Sequence, residues 1–406
     1  MENKKSKNSS RYETKNILTA KPAMAGGEPV FREKLRIIRP TLFSPADMGA
    51  EIEEIFSTGN VTVSKYGALF EKKCRKYLGV KEAVAVSSAT SGLMLAVKAL
   101  GLKGEVIVPS FTFTATVHSL IWNGLTPVFV DCEEGTYNID VRDVERKITA
   151  KTSAIVPVYI FGNPPRIGEL AKIAKKHGLK LVFDSAQAFG AEYGGVRAGG
   201  FGDCEVMSLS PTKVLTAIEG GLVTTNNIKL AEYLRRARDY GKRGEDVECA
   251  GLSARMSELH ALVGLKNLDH VKKCLKIRRD LILLYQKLLK NVNGIGFQDV
   301  LPGNKSSGNY MVVFIDEKWF GISRDMLYEA LKAENIETKK YFYPAVHMQK
   351  AYRAFRKVYQ GKLPVTEKAS RTGLALPLYG HMKPVSVEKV CRAILCIHEF
   401  ANRKAA

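Results

Sequence analysis

Short apolar runs alternate with amphipathic helical segments through the first half of the chain. The runs with the length and β-branched content of buried strands are EAVAVSS, EVIVPS, TPVFVD, SAIVPVYIFG, LKLVFDSA, CEVMSLS and GLVTTN. Segments with apolar residues at helical spacing lie between them and include LMLAVKAL, TATVHSLIWNG and IGELAKIAKKHG. This alternation predicts an α/β fold with a mostly parallel central sheet flanked by helices.

The rest of the chain has a different pattern. From about residue 228 it becomes long-helical, and it closes with a smaller α/β segment that includes the apolar run YMVVFIDE. Residues 1–37 are polar and basic with few aromatic residues, which favours a flexible tail. We therefore predict a flexible basic tail at 1–37, a large domain at 38–285 and a small C-terminal α/β domain at 286–406.

Composition limits the class of protein. The 406 residues are 45% hydrophobic, which supplies a real core, and no apolar run approaches the roughly 20 residues of a membrane-spanning helix. No apolar stretch follows the charges of MENKKSKNSSRYETKN, so we expect no secretory signal and a cytoplasmic protein. The seven cysteines are dispersed, with no C-x-x-C pair, and the histidines form no ligand pattern, so neither disulfides nor a metal site is expected.

The formal charge of +21 is the one extreme number, and it favours an anionic partner such as nucleic acid, an acidic membrane surface or a phosphorylated small molecule. The basic residues are spread along the chain, however, in segments such as KKCRK and HVKKCLKIRRD that are typical of solvated helix faces. No helix-turn-helix, zinc or aromatic-basic RNA motif is present. A lysine-rich surface is therefore favoured over nucleic-acid binding.

A carboxylate and a lysine come after two of the predicted strands. In such sheets the ligand crevice lies beyond the carboxyl ends of the strands, where LKLVFDSA delivers Asp184 and CEVMSLS leads to Lys213. A buried carboxylate needs a positive partner. The pair is consistent with a salt bridge or with a site for pyridoxal phosphate, in which a lysine forms a Schiff base with the aldehyde and an acid keeps the pyridine nitrogen protonated.

A hydroxyl-rich turn before a helix bears on that choice. The segment VAVSSATSGLMLAVKAL gives a strand, a cluster of small polar residues and a helix, which brings Thr90 and Ser91 to a helix N-terminus. Taken alone, the cluster is equally a helix cap. With Asp184 and Lys213 behind it in the chain, we favour a phosphate cradle.

Five ordered segments carry a family resemblance. They are GEVIVPSFTFTATVHSLIWNGLTPVFVD, FDSAQAFGAEYGG, SLSPTKVLTAIEGGLVTTN, GLSARMSELHALVGL and YFYPAVHMQKAY. In this order they resemble segments of the DegT/DnrJ/EryC1/StrS family of pyridoxal-phosphate-dependent sugar aminotransferases, over roughly residues 57 to 382. The resemblance implies the fold type I aminotransferase scaffold, in which the large domain binds the cofactor and carries interface helices. It also implies a homodimer with shared active sites.

The resemblance also implies roles for individual residues. Lys213 corresponds to the Schiff-base lysine and proton shuttle, and Asp184 to the partner of the pyridine nitrogen. Gln187 reaches the ring hydroxyl and Phe113 stacks on the pyridine face. The phosphate is held by Thr90, Ser91 and Ser208.

Four further positions carry more than one interpretation. Ser253 stands where the family motif usually has an asparagine that reaches the partner subunit's cofactor phosphate, so this contact is in doubt for a shorter serine. His347 resembles a position facing the sugar nucleotide and is equally consistent with a structural histidine. Lys242 and Arg243 lie on a glycine-rich loop that could reach a diphosphate, although a solvated loop is the simpler interpretation.

The leading hypothesis is an aminotransferase that moves an amino group, taken from glutamate, onto the keto carbon of a nucleotide-linked deoxy sugar by a ping-pong mechanism. Two alternatives stay open: a cyclitol or other carbocyclic keto substrate, and a non-catalytic regulatory or nucleic-acid-binding relative. The related sugar dehydratases carry histidine at the lysine position, so Lys213 argues against that branch. The sugar, its nucleotide and the stereochemistry of amination are not fixed by the sequence.

Overall fold

The central sheet of the computed structural model, which describes residues 21–42 and 44–405, is formed by the apolar runs. Its seven strands lie in the order β1-β9-β8-β5-β4-β2-β3, and β9 alone runs antiparallel to its neighbours. The strands of the described residues are β1 Glu82–Val86, β2 Glu105–Pro109, β3 Thr126–Val130, β4 Thr152–Ile155, β5 Lys180–Asp184, β6 Glu192–Tyr193, β7 Val196–Arg197, β8 Cys204–Ser208, β9 Gly221–Thr225, β10 Lys242–Arg243, β11 Asp246–Val247, β12 Ile295–Phe297, β13 Met311–Ile315 and β14 Gly373–Leu376. The predicted mostly parallel sheet is confirmed.

The helices of the described residues pack on both faces of this sheet or against a second, smaller unit. They are α1 Gly49–Thr58, α2 Lys65–Leu78, α3 Ala89–Ala99, α4 Thr114–Ile121, α5 Val141–Arg146, α6 Ile167–His177, α7 Ile228–Ala237, α8 Glu258–Leu289, α9 Glu317–Phe320, α10 Arg324–Ala333, α11 Arg353–Tyr359, α12 Pro364–Thr372 and α13 Pro384–Ala405. On α2, Tyr66, Phe70 and Cys74 recur every four residues, and this buried stripe packs with α6 and the start of α8 on one face. Leu93 of α3 and Leu234 of α7 pack with α4 on the other face.

A second, smaller unit follows the sheet. Strands β12, β13 and β14 form an antiparallel sheet whose core includes Tyr285 and Leu289 from the end of α8. The start of the same helix packs Leu262 and Leu268 into the core of the large unit. The boundary that we predict at residue 285 therefore falls inside one continuous helix.

Residues 21–37 do not form a free tail, so the prediction of a flexible segment needs correction over this range. Glu334 accepts hydrogen bonds from the backbone N–H groups of Ala23 and Val30, at 2.7 and 2.8 Å. A bridge joins Leu35 to Ile336, which fixes the segment against the small unit. Residues 1–20 of that prediction lie outside the described residues. Within the described part of the chain, no helix is long and apolar enough to cross a membrane.

Candidate active site

A cavity of about 300 Å³ lies where the carboxyl ends of β5 and β8 meet the N-terminus of α3 and the start of β13. Its position follows from the topology, because the carboxyl ends of the parallel strands share one edge of the sheet. Six residues predicted from the sequence line it, namely Thr90, Phe113, Asp184, Gln187, Ser208 and Lys213. The fold therefore brings together groups that are separated by up to 123 residues in the chain.

Asp184 ends β5 and points into this cavity as a buried carboxylate. It accepts a hydrogen bond from Thr116 Oγ1 at 2.7 Å and one from the backbone N–H of Ala186 at 3.1 Å. Burial raises the pKa of Asp184, and these two hydrogen bonds and the charge of Lys213 offset only part of the rise. The carboxylate would be better stabilised by a cation held directly against it.

Lys213 lies in the loop between β8 and β9, which is held by hydrogen bonds within its own backbone. The backbone N–H of Lys213 donates to Ser210 O at 3.1 Å, and that of Ala217 donates to Leu209 O at 2.8 Å. Asn267 of α8 donates to Thr216 O at 2.8 Å and ties the loop to that helix. The backbone that carries the lysine is therefore held on both sides of it.

The hydroxyl-rich turn before α3 forms both a helix cap and one wall of the cavity. Ser88 is the N-cap residue, and its Oγ accepts from the N–H of Ser91 while Ser91 Oγ accepts from the N–H of Ser88. The Ser91 hydroxyl is engaged in this cap, and Ser91 is not among the residues that line the cavity, so its predicted contact with a phosphate stays a prediction. Thr90 and Ser88 do line it.

Further hydroxyl groups face this helix N-terminus from the other side of the cavity. Ser208 Oγ, Ser210 Oγ and Thr212 Oγ1 form a chain with separations of 3.3 and 3.4 Å. The close approach of β9 to the turn requires glycine at position 221, because a Cβ atom there would lie 2.6 Å from the backbone nitrogen of Ala89. Hydroxyl groups and a helix N-terminus that converge in this way form an anion site.

The remaining two predicted residues complete the cavity walls. Phe113 precedes α4, lines the cavity and is 57% exposed. Gln187 is buried, and its Oε1 has no hydrogen-bond partner among the described residues. An unpartnered buried amide oxygen that lines a cavity is a group that a bound molecule would satisfy.

These groups fit pyridoxal phosphate. The anion site suits its phosphate, Asp184 its protonated ring nitrogen, Gln187 its ring hydroxyl, Phe113 its flat face and Lys213 its aldehyde. When bound, the cofactor supplies an electron-withdrawing ring that stabilises negative charge at the carbon undergoing amine transfer.

Comparison with known proteins assigns the chain to a family. The model of the DegT/DnrJ/EryC1/StrS aminotransferase family matches residues 45–395. The chain belongs to this family. The resemblance seen in the sequence and the prediction of an aminotransferase are thereby confirmed.

Individual family members cover almost the whole chain. The dTDP-4-amino-4,6-dideoxy-D-glucose transaminase of Escherichia coli is 34% identical over 365 residues, which are 88% of this chain and 97% of that protein. The GDP-perosamine synthase of Caulobacter vibrioides is 32% identical over 340 residues, 82% of this chain and 90% of that protein. The crystal structure of DesI, analysed in the presence of its TDP-sugar product, superposes with a TM-score of 0.86 at 35% identity and covers 94% of this chain and 97% of DesI. These similarities confirm the aminotransferase fold.

Four other residues predicted from the sequence, namely Ser253, Lys242, Arg243 and His347, are not among those that line the cavity. Ser253 is exposed, and Lys242 and Arg243 lie in the exposed hairpin of β10 and β11, where Arg243 pairs with Glu248 at 3.2 Å. Their roles at a partner's cofactor or a diphosphate stay predictions.

His347 is fully buried, and its Nδ1 lies 2.7 Å from Ser110 Oγ. Burial lowers the pKa of His347 although Glu367 opposes the shift. Its Nε2 lies 3.6 Å from Glu367 and has no hydrogen-bond partner among the described residues, so both roles considered for His347 stay predictions.

Sequence reasoning missed the residues that the small unit and α4 contribute to the site. Lys339, Tyr341 and Tyr310 line the cavity, and Thr116 supports Asp184. Tyr341 belongs to the segment YFYPAVHMQ, whose resemblance to a substrate-closing segment was available as a signal. Thr116 lies within the segment GEVIVPSFTFTATVHSLIWNGLTPVFVD, whose resemblance did not single it out. Tyr310 had no signal, because it stands next to an ordinary apolar run.

Proposed function

We propose that this protein is a pyridoxal-phosphate-dependent aminotransferase that moves an amino group from glutamate to the keto carbon of a nucleotide-linked deoxy sugar. The observation that carries the proposal is the presence of Lys213 and the buried Asp184 in one cavity, opposite an anion site. The names of the two enzyme relatives, which refer to dTDP- and GDP-linked sugars, support a nucleotide sugar as the acceptor.

Each residue has a distinct task in this proposal. Lys213 would hold the cofactor through its aldehyde and, as a free amine, would carry a proton at its Nζ atom to and from the reacting carbon. Asp184 holds the proton on the ring nitrogen. Thr90, Ser208 and Ser210 orient the phosphate, and the stack of Phe113 fixes the plane of the ring.

The donor and acceptor are both anionic, and the mouth of the cavity carries a suitable cation. Lys339 is exposed, lines the cavity and has its Nζ 5.0 Å from the ring centroid of Tyr341. A lysine at this place favours a carboxylate of glutamate or a diphosphate of the acceptor over a neutral molecule.

A homodimer with shared active sites also belongs to the proposal. Large apolar side chains are exposed on α1, in the segment before α2 and in the lysine loop, including Phe56, Val63 and Ile218. Ile218 directly precedes Glu219 and Gly220, which line the cavity. A second copy that covers this apolar surface would therefore stand next to the cavity, and exposed Ser253 would be free to face it.

The test is an absorption experiment on the purified protein loaded with pyridoxal phosphate. Adding glutamate without an acceptor should bleach the visible band of the bound cofactor and release one 2-oxoglutarate per site, and adding a keto sugar nucleotide should restore the band. Lys213→Ala should lose the band, whereas Lys339→Ala, which removes another lysine of the same cavity, should keep it.

A protein that never binds the cofactor, or that forms 2-oxoglutarate only when the acceptor is present, would contradict the proposal. A free cyclitol ketone that restores the band as fast as the sugar nucleotide would move the acceptor to the carbocyclic class.

A further inference from the structure

Tyr310 is a buried phenol that contacts the lysine loop from the small unit. Its hydroxyl donates a hydrogen bond to Thr212 Oγ1 at 3.2 Å, and its ring centroid lies 5.6 Å from Lys213 Nζ. The ring of Tyr341 packs on it with centroids 4.7 Å apart. The side chain therefore reaches both the lysine and the residue that precedes it.

The residue before Tyr310 holds the other side of the lysine. Asn309 is buried, and its Oδ1 accepts from the backbone N–H of Val214 at 3.2 Å. The carbonyl oxygen of Asn309 in turn accepts from the guanidinium of Arg278 on α8 at 3.1 Å. Consecutive residues of one segment thus bond to the neighbours of Lys213 on both sides, which fixes the phenol relative to the amine.

We infer that Tyr310 is a positioning residue for Lys213. The Tyr310 hydroxyl holds the Lys213 amine while that amine is not bonded to the cofactor, and the two groups exchange a proton. In this exchange the phenolate oxygen takes one proton from the ammonium group, which leaves a neutral amine with a free electron pair, and the phenol later returns that proton. The inference rests on the proposed function of Lys213. Tyr310 lies outside the five segments that carry the family resemblance, between the fourth and the fifth.

The charges around Tyr310 support this role. Lys213 faces it from the loop, Tyr341 from the segment after α10 and Arg278 from α8, while Lys339 lies over the ring of Tyr341. Burial raises the pKa of Tyr310, but the charge of Lys213 and hydrogen bonding with Thr212, Tyr341 and Lys213 outweigh it, so the pKa of Tyr310 is lowered overall. The pKa of Tyr341 is raised by burial and by Tyr310. Of these two neighbouring phenols, Tyr310 is therefore the one that ionises first.

The first experiment needs no cofactor. An ultraviolet difference titration of the cofactor-free protein should show one of its 16 tyrosines ionising below the usual pKa of about 10. Tyr310→Phe should remove this early ionisation, and Tyr285→Phe, which removes a buried phenol elsewhere, should keep it. An early ionisation that persists in Tyr310→Phe, or none in the parent protein, would overturn the inference.

The second experiment reports on the amine itself. Lys213 of the cofactor-free protein is acylated with a succinimidyl ester, and its labelling rate is followed by peptide mass spectrometry. A succinimidyl ester acylates only the neutral amine, which the inferred exchange with the Tyr310 hydroxyl supplies. Because Tyr310→Phe keeps the ring and removes only this hydroxyl, we expect Lys213 to be labelled about tenfold slower, as loss of a hydrogen bond to a charged group implies, and faster labelling would overturn the inference. Labelling of Lys339 should stay the same, and Thr212→Val should give an intermediate rate for Lys213.

The two proposals fail separately. An unchanged labelling rate of Lys213 in a folded Tyr310→Phe protein would overturn the role of Tyr310 while cofactor loading and glutamate-dependent bleaching still hold. A parent protein that does not load the cofactor would contradict the proposed function, whatever the titration and the labelling show.

Discussion

Asp184 and Thr116 form a hydrogen-bonded pair at the floor of the cavity, with 2.7 Å between the carboxylate and the threonine hydroxyl. The pair joins the carboxyl end of β5 to the first turn of α4. It gives the buried carboxylate a neutral donor and leaves its charge without full compensation, since burial still raises the pKa of Asp184. A ligand that brings a proton-bearing nitrogen to this place would complete the compensation.

Asp184→Asn should therefore affect the cofactor-free and loaded proteins in opposite directions. Because the pKa of Asp184 is raised in the folded state, the folded protein binds this proton more tightly than the unfolded chain. Its contribution to stability is present below about pH 4, the ordinary value for aspartate, and is lost as pH rises through the raised pKa. At neutral pH the cofactor-free variant should be at least as stable as the parent protein, yet it should bind pyridoxal phosphate more weakly.

Denaturant unfolding of both proteins across pH 4–8, with and without cofactor, measures these effects. Thr116→Val is the matched control, because it keeps the carboxylate and removes a hydrogen bond that favours its charged form. It should steepen the loss of stability with rising pH. An Asp184→Asn protein that is less stable than the parent at every pH without cofactor would contradict this account of the carboxylate.

Two kinds of hydroxyl group lie near the anion site: those of Ser208 and Ser210, which line the cavity, and that of Ser91, which caps α3. Ser208→Ala and Ser210→Ala should each weaken the binding of pyridoxal phosphate about tenfold, because each removes one hydrogen bond to a charged group. Ser91→Ala should leave this affinity unchanged and lower the free energy of unfolding by about 1 kcal/mol through loss of the capping box. Equilibrium binding followed by absorbance, together with denaturant unfolding, makes the comparison. A tenfold loss of affinity in Ser91→Ala would restore the role that the sequence suggested for its hydroxyl.

Gly221→Ala should damage the same site sterically. The added methyl group would lie 2.5 Å from the carbonyl carbon of Ser88 and 2.6 Å from the nitrogen of Ala89, so β9 or the turn before α3 has to move. We expect a loss of about 1–3 kcal/mol in the free energy of unfolding and weaker cofactor binding. Gly49→Ala serves as the control, since a Cβ atom there meets nothing within 4 Å. Equal stability of the two variants would show that the turn yields freely.

How much of this site the sequence could predict depends on where each residue stands in the chain. Asp184 and Lys213 were predictable because one ends a strand of a parallel sheet and the other lies in the loop after a neighbouring strand, whereas Gln187 was predicted only from the family resemblance. Thr90 was predictable from a hydroxyl cluster between a strand and a helix. For Ser91 the sequence could not separate a cap from a phosphate cradle, because both use the same residue types, and its role at a phosphate stays a prediction.

The residues that sequence reasoning missed come from long-range packing. Tyr310 reaches Thr212 across 98 residues, and it does so from a segment whose apolar pattern indicates only a core strand. The fold class followed from the periodicity of the apolar runs. The domain boundary at 285 did not, because α8 passes from one core into the other without any change in its pattern.

The N-terminal segment gives the last prediction, because its fixation depends on one buried side chain. Both carboxylate oxygens of Glu334 accept backbone hydrogen bonds, one from Ala23 and one from Val30. In Glu334→Ala these two N–H groups lose their partner, and the segment can regain hydrogen bonds to water only by detaching from the small unit. We expect a loss of about 1–3 kcal/mol in the free energy of unfolding and faster cleavage by trypsin at exposed Lys34 and Arg36. Glu334→Gln, which keeps one acceptor oxygen in place, should lie between the alanine variant and the parent in both measurements. If trypsin cuts Glu334→Ala at Lys34 and Arg36 no faster than the parent protein, the contacts of Leu35 and Ile336 hold the segment without the carboxylate.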